Sequence, residues 1–225
     1  MHALAKENAA KEALKYVSDG MVVGIGSGST VNILINLLSS YVKNNNLDIS
    51  VVGASKESER NILKANLKLV EMENVSYTDV TIDGADAIDG NLCLIKGGGG
   101  ALFREKIIAK CARKVIIIAD YTKLYKKLEE YNILPIEVVH FSRSYVERKL
   151  KEMNIEYKIR SREEKLFISD NGNYIFDIAI GKHSIALLEK ELRSITGVVE
   201  TGYFEKIATM AIIGYEDHVD TLTTQ

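Results

Sequence analysis

Three acids and a lysine surround a run of glycines in the middle of the chain. Asp83 and Asp86 follow one apolar segment, and Lys96 ends another and precedes four consecutive glycines. Carboxylates beside apolar strands are costly unless they are paired or hydrogen-bonded. A glycine run has a large entropic cost, so a compact protein keeps one mainly where the backbone must approach something, and a ligand is favoured here. Lys96 would then stabilise a developing oxyanion as a point charge.

Glu105, the third acid, lies shortly after the glycine run, near the start of a predicted helix. A glutamate in the first helical turn usually caps the helix or interacts with its dipole. The same position would also direct its side chain to the place where Asp83 and Lys96 arrive. In a dry pocket its pKa would rise toward the working pH, which suits a carboxylate that takes a proton from carbon and returns it.

Each of these residues has another explanation when it is taken alone. Asp86 could serve as the cap of an Asx-type turn, and Lys96 could be an ordinary lysine at the end of a strand. An EF-hand calcium loop is excluded, because its ligand spacing fails when it is counted from Asp83. It is the combination of acids, lysine and glycines that favours a catalytic site.

A second glycine-rich segment, Gly24 to Thr30, leaves an apolar strand and enters a predicted helix. Free N–H groups and the positive end of the helix would meet there, so an anion could bind. A dinucleotide fingerprint would need glycine where Ser29 stands, and a Walker loop would need a preceding lysine. A phosphate cradle without a nucleotide is favoured over a tight glycine turn with no ligand.

The elements that must position these residues alternate between strand and helix. Apolar periodicity predicts helices at 3–18, 29–38, 56–66 and 102–112, and buried strands at 21–25, 49–53, 80–83, 92–95 and 115–119. Such alternation implies a mostly parallel sheet with helices on both faces. The active sites of these sheets lie at the carboxyl ends of the strands, where the acids and glycine loops fall.

The pattern changes after about residue 131. It predicts strands at 136–139, 156–159 and near 198, helices at 143–153 and 185–193, and a hairpin at the Asp-Asn-Gly-Asn sequence 170–173. This split strand-helix-strand plan is typical of a smaller ferredoxin-like α+β domain. Because the apolar run 208–214 could return to the first sheet, we predict a discontinuous large α/β domain of residues 1–130 and 205–225. The small domain would span 131–204.

Composition limits the classes of partner. With 29 Lys and Arg against 31 Asp and Glu, the net charge is −2 and provides no basic field for nucleic acid or an anionic membrane. Neither cysteine has the spacing of a disulfide or zinc site, and no apolar run approaches a membrane span of ~18 residues. The sequence therefore predicts a cytoplasmic protein with a small-molecule ligand.

The segments VVGIGSGST, IDGAD, LIKGGGGALFREKIIA and IADYTK occur in this order. Together they resemble ribose-5-phosphate isomerase of the A type, and the similarity extends over essentially the whole chain. The resemblance implies interconversion of ribose 5-phosphate and ribulose 5-phosphate through a cis-enediol, without metal or organic cofactor. It also implies a homo-oligomer, most often a dimer. Ser27, where threonine is more frequent, and Gly100, where alanine is common, depart from the family pattern.

The resemblance also implies roles for the matching residues. Glu105 would be the proton-transferring base, and Asp83, Lys96 and Asp86 would complete the catalytic set. The implied substrate-binding residues are Ser27, Gly28, Ser29 and Thr30 on the phosphate side with Lys6 and Lys123 as cationic helpers, and Asp83, Gly84, Ala85, Asp86, Lys96, Gly97, Gly98 and Gly99 along the sugar.

Two other classes of protein share parts of this pattern. A phosphosugar-sensing regulator would use a similar domain, but it is expected to carry a DNA-binding helix-turn-helix, and no basic face is visible here. A coenzyme A transferase or a sugar-amine deaminase also places a glutamate near a glycine loop. Both enzymes are disfavoured because the KGGGG segment and Glu105 occur together with the DGAD segment.

Overall fold

The computed structural model describes residues 2–223, whose strands form four sheets. The α-helices are α1 (Ala3–Ala13), α2 (Ser29–Asn44), α3 (Lys56–Lys64), α4 (Leu102–Lys110), α5 (Arg143–Glu152) and α6 (Ile185–Ser194). The first eight strands are β1 (Val22–Ile25), β2 (Ser50–Gly53), β3 (Val80–Asp83), β4 (Ala87–Ile88), β5 (Leu94–Ile95), β6 (Val115–Asp120), β7 (Ile133–Val138) and β8 (Tyr157–Ile159). The later strands are β9 (Ser161–Arg162), β10 (Lys165–Leu166), β11 (Tyr174–Ala179), β12 (Val198–Thr201), β13 (Tyr203–Phe204), β14 (Met210–Gly214) and β15 (Val219–Thr223).

The largest sheet has the strand order β15-β14-β6-β3-β1-β2 and is parallel except for the edge strand β15. Alternate residues of β6 show why both faces are covered. Ile116 and Ile118 join the apolar cluster that includes α1 and α2, whereas Ile117 belongs to a cluster that includes Ala109 of α4. The predicted mostly parallel sheet with helices on both faces is thereby confirmed.

The carboxyl ends of β1 and β3 lie side by side at the point where the strand order reverses. The chain leaves β1 toward β2 on one side, while β3 pairs with β1 on the other side. Two loops therefore diverge at this edge and leave a crevice, which is where ligands bind in open α/β sheets. At Gly26 a Cβ atom would stand 1.6 Å from Asp83 Oδ1, so only glycine allows the two loops to approach so closely.

The second sheet has the order β12-β7-β11-β8, and all of its strand pairs are antiparallel. Helices α5 and α6 contribute Leu150 and Leu188 to one apolar cluster with Ile136 and Phe176 of this sheet. The arrangement follows the predicted ferredoxin-like α+β plan. The hairpin of β9 and β10 precedes the Asp-Asn-Gly-Asn turn, which an isolated bridge between Ile168 and Tyr174 closes.

The strand predicted at 92–95 is shorter than expected and lies outside the parallel sheet. Asp89 Oδ1 accepts hydrogen bonds from the N–H groups of Asn91 and Cys93, and Leu92 has a φ of 58°. This local turn consumes the first half of the predicted strand. The remaining strand, β5, pairs antiparallel with β4 and β13 in a small sheet of its own. The predicted end of the second helix is also wrong, because α2 continues to Asn44 rather than ending at Leu38.

The apolar run predicted to return to the first sheet does so as β14, which pairs parallel with β6. The boundaries 1–130, 131–204 and 205–225 of the two domains remain a prediction. Within residues 2–223 no helix is both long enough and apolar enough to cross a membrane.

Candidate active site

A cavity of about 140 Å³ opens at the carboxyl ends of β1 and β3. Its volume is below the roughly 300–1,000 Å³ of pockets that hold drug-sized ligands, so it suits a small metabolite. The residues that line it are Lys6, Ser27, Gly28, Ser29, Thr30, Gly84, Ala85, Asp86, Lys96, Gly97, Gly98, Gly99, Glu105, Ala119 and Lys123. All predicted site residues except Asp83 are in this lining, and Ala119 is an addition that the sequence analysis missed.

Lys96 lies at the centre of a cluster of buried charges in the wall of this cavity. Its Nζ lies 2.9 Å from Asp83 Oδ2 and 3.4 Å from Glu105 Oε2, and it donates a hydrogen bond to the Gly84 carbonyl at 2.5 Å. The three charged side chains are only 3–4% exposed. Burial acts to lower the pKa of Lys96, but the carboxylates of Asp83 and Glu105 outweigh it and raise that pKa overall. The lysine is therefore held as a cation.

Asp83 lies behind the cavity surface rather than on it. Its Oδ1 accepts hydrogen bonds from the N–H groups of Ser27 at 3.1 Å and Gly84 at 2.7 Å, and its Oδ2 pairs with Lys96. Burial raises the pKa of the Asp83 carboxyl, while the lysine and the two N–H donors oppose that rise. Both oxygens are thus committed to tying the first glycine loop, the DGAD loop and Lys96 together.

Glu105 has weaker support from its neighbours. Its Oε1 accepts a hydrogen bond from Ser27 Oγ at 2.5 Å, whereas its buried Oε2 has no hydrogen-bond donor within the described residues. Burial is the main cause that raises its pKa to about 7; Lys96 lowers this value and the charge of Asp83 raises it. One lysine cation serves two carboxylates here, and Asp83 has the better contacts. Glu105 is therefore the carboxylate that takes up a proton near neutral pH.

The glycine run forms the other side of the cavity and holds Asp86. The Gly98 N–H donates to Asp86 Oδ2 at 2.7 Å, and a Cβ atom on Gly98 would stand 2.6 Å from Asp86 Oδ1. Gly97 and Gly100 have φ values of +104° and +84°, in the region that side chains disfavour. Asp86 therefore accepts from a residue twelve positions away, and this loop-to-loop contact differs from the local Asx-type cap.

The loop after β1 has the features of an anion site. Gly28 caps α2 with a φ of +101° and no side-chain cap, and the first turn of the helix carries no acid. Ser29 and Thr30 of that turn line the same cavity as Lys6 and Lys123. Lys6 Nζ donates to Ser29 Oγ at 3.0 Å. Two cations and a helix N-terminus thus line one cavity.

Two further cations lie near the site: Arg160 comes from outside the predicted motifs, and Lys106 directly follows Glu105 in sequence. Arg160 Nη1 lies 2.6 Å from the Gly97 carbonyl oxygen, and Lys106 Nζ bonds the carbonyls of Thr201 and Tyr203 near the Lys96 segment. Arg160 is 63 residues away from Gly97 in sequence, so no local spacing could have identified it. Lys106 adjoins Glu105, but only the structure shows that it is buried.

The sequence of nearly the whole chain is similar to that of known proteins. A family model described as ribose 5-phosphate isomerase A (phosphoriboisomerase A) matches residues 50–218. Ribose-5-phosphate isomerase A 1 of Oceanobacillus iheyensis is 40% identical over 216 residues, which cover 95% of this chain and 96% of that protein.

Two solved structures resemble the fold over nearly its full length. Ribose 5-phosphate isomerase A from Methanocaldococcus jannaschii has a TM-score of 0.93 and 36% identity, covering 99% of this chain and 100% of that one. A D-ribose-5-phosphate isomerase in complex with phospho-erythronic acid has a TM-score of 0.91 and 36% identity, covering 97% of each chain.

Proposed function

We propose a division of labour among the cavity residues of this chain, which belongs to the ribose 5-phosphate isomerase A family and interconverts D-ribose 5-phosphate and D-ribulose 5-phosphate. Glu105 is the base that moves the proton between the two reacting carbons. The observation that supports this role is its buried carboxylate, whose Oε2 lacks a hydrogen-bond donor within residues 2–223 and whose pKa is raised to about 7. Family membership removes the sensing module, the coenzyme A transferase and the sugar-amine deaminase as alternatives.

The substrate phosphate binds at the end of the cavity formed by the loop after β1. The N-terminus of α2, the hydroxyls of Ser29 and Thr30 and the ammonium groups of Lys6 and Lys123 supply the complementary charge. The similar isomerase that holds phospho-erythronic acid supports a phosphorylated sugar derivative as the ligand. Because phosphate is remote from the reacting carbons, its binding energy positions the other end of the substrate.

At the other end, the ionised Glu105 removes the C2 proton from the open-chain aldose. The electron pair moves to the C1 carbonyl oxygen and gives the enediolate, the anion of a cis-enediol, in which the proton of the C2 hydroxyl passes to the C1 oxygen. Return of the proton from Glu105 to C1 then yields the ketose. Lys96 stabilises the oxygen that becomes negative, because its ammonium is buried and held in place before the reaction.

The two aspartates have different surroundings and receive different roles. Asp83 has both oxygens occupied by N–H groups and Lys96, so we assign it to holding Lys96 and the two loops rather than to moving hydroxyl protons. Asp86 lines the cavity and is held through one oxygen by the Gly98 N–H, so it is the carboxylate available to the sugar hydroxyls.

We propose the wider setting from the composition, the pattern of elements and the family resemblance together. The enzyme works as a cytoplasmic homodimer without metal, with a discontinuous large domain and a small ferredoxin-like domain, and it does not act on nucleic acid or membranes. Sedimentation equilibrium tests the dimer. Assays with and without EDTA test the metal, since activity lost in EDTA and restored by Mg²⁺ would contradict metal independence.

Glu105→Gln tests the base directly, because the amide keeps the size of the side chain and removes its ability to accept the proton. We expect kcat for ribose 5-phosphate to fall by roughly 10²- to 10⁴-fold, the range for loss of a general base. Glu152→Gln is the matched control, since Glu152 is an exposed helical glutamate. Near-normal turnover of folded Glu105→Gln would contradict the assignment.

A further inference from the structure

Arg160 reaches from the four-stranded sheet to the glycine run. It directly follows β8, and its backbone N–H donates to the Ile175 carbonyl at 2.8 Å. Its Nη1 donates to two consecutive carbonyl oxygens of the run, at 2.6 Å to Gly97 and 3.1 Å to Gly98. The side chain is only 12% exposed. A single, largely buried guanidinium therefore fixes two peptide groups that have no side chains of their own to hold them.

The opposite edge of the same guanidinium is held by Asp177 of β11. Arg160 Nε donates to Asp177 Oδ2 at 3.0 Å, and Nη2 donates to Oδ1. This bidentate pair sets the plane of the guanidinium, which a single-point lysine contact would not do. Asp177 thus orients Arg160, and Arg160 in turn orients the glycine run.

The peptide group between Gly97 and Gly98 links Arg160 to Asp86. Its carbonyl oxygen accepts from Arg160, and its N–H donates to Asp86 Oδ2 at 2.7 Å. These two groups point in opposite directions because the peptide is trans. Rotation of this peptide would therefore break both contacts and release the Asp86 carboxylate.

The next peptide group is held in the same way. The Gly98 carbonyl faces Arg160, so the N–H of Gly99 points away from Arg160, and Gly99 lines the cavity. Ser27 Oγ, the donor to Glu105, lies 3.5 Å from the position that a Cβ atom on Gly99 would take. Gly99 thus lies beside Ser27, whose hydroxyl contacts the carboxylate assigned to proton transfer.

We propose that Arg160, oriented by Asp177, is a positioning residue for the isomerisation. It keeps the peptide groups of the glycine run aligned, so that one N–H holds Asp86 and the N–H of Gly99 faces the substrate oxygen that becomes negative. The inference rests on the proposed function, because it requires the reaction to take place beside Glu105. The four-stranded sheet then contributes to catalysis through the contact of Arg160 with the glycine run.

Such an N–H acts on the transition state, whereas the phosphate site that anchors the substrate does not involve Arg160. Losing a fixed oxyanion donor lowers kcat by roughly 10²- to 10³-fold in comparable sites. We expect Arg160→Lys to show roughly the lower of these losses in kcat, with a smaller rise in KM for ribose 5-phosphate because Asp86 is also loosened. Asp177→Asn should lower kcat in the same direction, because it loosens the guanidinium without removing it.

Steady-state kinetics and urea unfolding on both variants test the proposal, with Arg162→Lys as the control on an exposed arginine two positions away. Added methylguanidinium should restore part of the kcat of Arg160→Ala but not that of Glu105→Gln. The proposal is overturned if folded Arg160→Lys and Asp177→Asn keep normal kcat, or if only KM rises. It is also overturned if Arg160→Lys does not fold and Asp177→Asn leaves kcat unchanged.

The same measurements separate this inference from the proposed function. Loss of turnover in Glu105→Gln together with normal turnover in the Arg160 and Asp177 variants would remove the positioning role alone. Normal turnover in Glu105→Gln would instead remove the proposed role of Glu105, on which this inference depends.

Discussion

Two buried lysines lie over the ring of Phe204, and their surroundings are opposite. Lys96 Nζ is 5.6 Å and Lys106 Nζ is 4.7 Å from the ring centroid, and both residues are 3% exposed. Lys96 belongs to the cavity and Lys106 does not. The contrast distinguishes a lysine buried in a separate cluster from a lysine buried beside the proposed base.

All hydrogen-bond donors of the Lys106 ammonium group have acceptors. Its ammonium donates to Glu200 Oε1 at 3.0 Å, to the Thr201 carbonyl at 2.7 Å and to the Tyr203 carbonyl at 2.8 Å, which uses all three of its protons. Burial lowers its pKa in spite of the nearby carboxylate. Burial raises the pKa of Glu200, but the Thr201 N–H and Lys106 outweigh this effect and lower that pKa overall.

Around Lys96 the buried negative charges outnumber the positive charge. Two buried carboxylates share one ammonium, and the better-placed Asp83 leaves Glu105 with an oxygen that has no donor in the described part of the chain. Such an arrangement lowers stability at neutral pH and gives Glu105 a pKa near the working range. Reactive groups of this kind are typical of functional sites.

Lys106→Met should have the largest effect on stability. The carbonyls of Thr201 and Tyr203 lose their donor, although Arg193 remains 3.3 Å from Glu200 Oε1. We expect the free energy of unfolding in urea to fall by about 3 kcal/mol, the lower end of the range for breaking a buried pair. Lys110→Met, on the exposed side of the same helix, is the control. A loss below about 1 kcal/mol, the usual worth of an exposed pair, would show that the Lys106 cluster is not structural.

Lys96→Met should affect turnover instead. Removal of the ammonium takes away the charge that we propose stabilises the enediolate, so we expect kcat to fall by roughly 10²- to 10³-fold. Folded Lys106→Met, whose lysine lies outside the cavity, should retain most of its turnover. Equal losses of kcat in the two variants would end the distinction between the clusters.

Glu105→Gln should stabilise the protein above pH 7. Because the pKa of Glu105 is raised from 4.5 to about 7, the folded state binds more protons than the unfolded state between these values. The contribution of Glu105 to stability is therefore lost as pH rises through that window. The variant lacks this loss, and we expect it to be more stable than the wild type by about 3 kcal/mol at pH 8. Below pH 4.5 the two proteins should unfold alike; a destabilised variant at pH 8 would contradict the account.

The motifs predicted most of the cavity because catalytic residues and their spacing are local in this chain. The DGAD loop, the glycine run and Glu105 lie within 23 residues, and parallel strands bring their ends to one edge of the sheet. The division of roles between Asp83 and Asp86 depends instead on which oxygens are occupied by donors. That information is three-dimensional, and the same is true of the Arg160 contacts.

The Asp-Asn-Gly-Asn segment shows another limit of local patterns. It predicted a turn correctly, but Asn171 and Asn173 also donate their side-chain amides to the buried Glu137 Oε1, each at 2.9 Å. Strand β5 shows the converse, because an Asx turn at Asp89 and antiparallel partners outweigh the apolar run. Contacts with distant segments explain the role of the asparagines, whereas a local turn and backbone pairing decide the extent of β5.

The most direct test of the account is a titration of the Glu105 carboxyl itself. Glutamate labelled with carbon-13 at the side-chain carboxyl gives an NMR resonance for each residue, and the Glu105 resonance is the one absent from Glu105→Gln. We expect a midpoint near pH 7, because burial raises the pKa of this group to about 7. A midpoint near the ordinary value of 4.5 would contradict the claim that burial beside Asp83 and Lys96 prepares Glu105 for proton transfer.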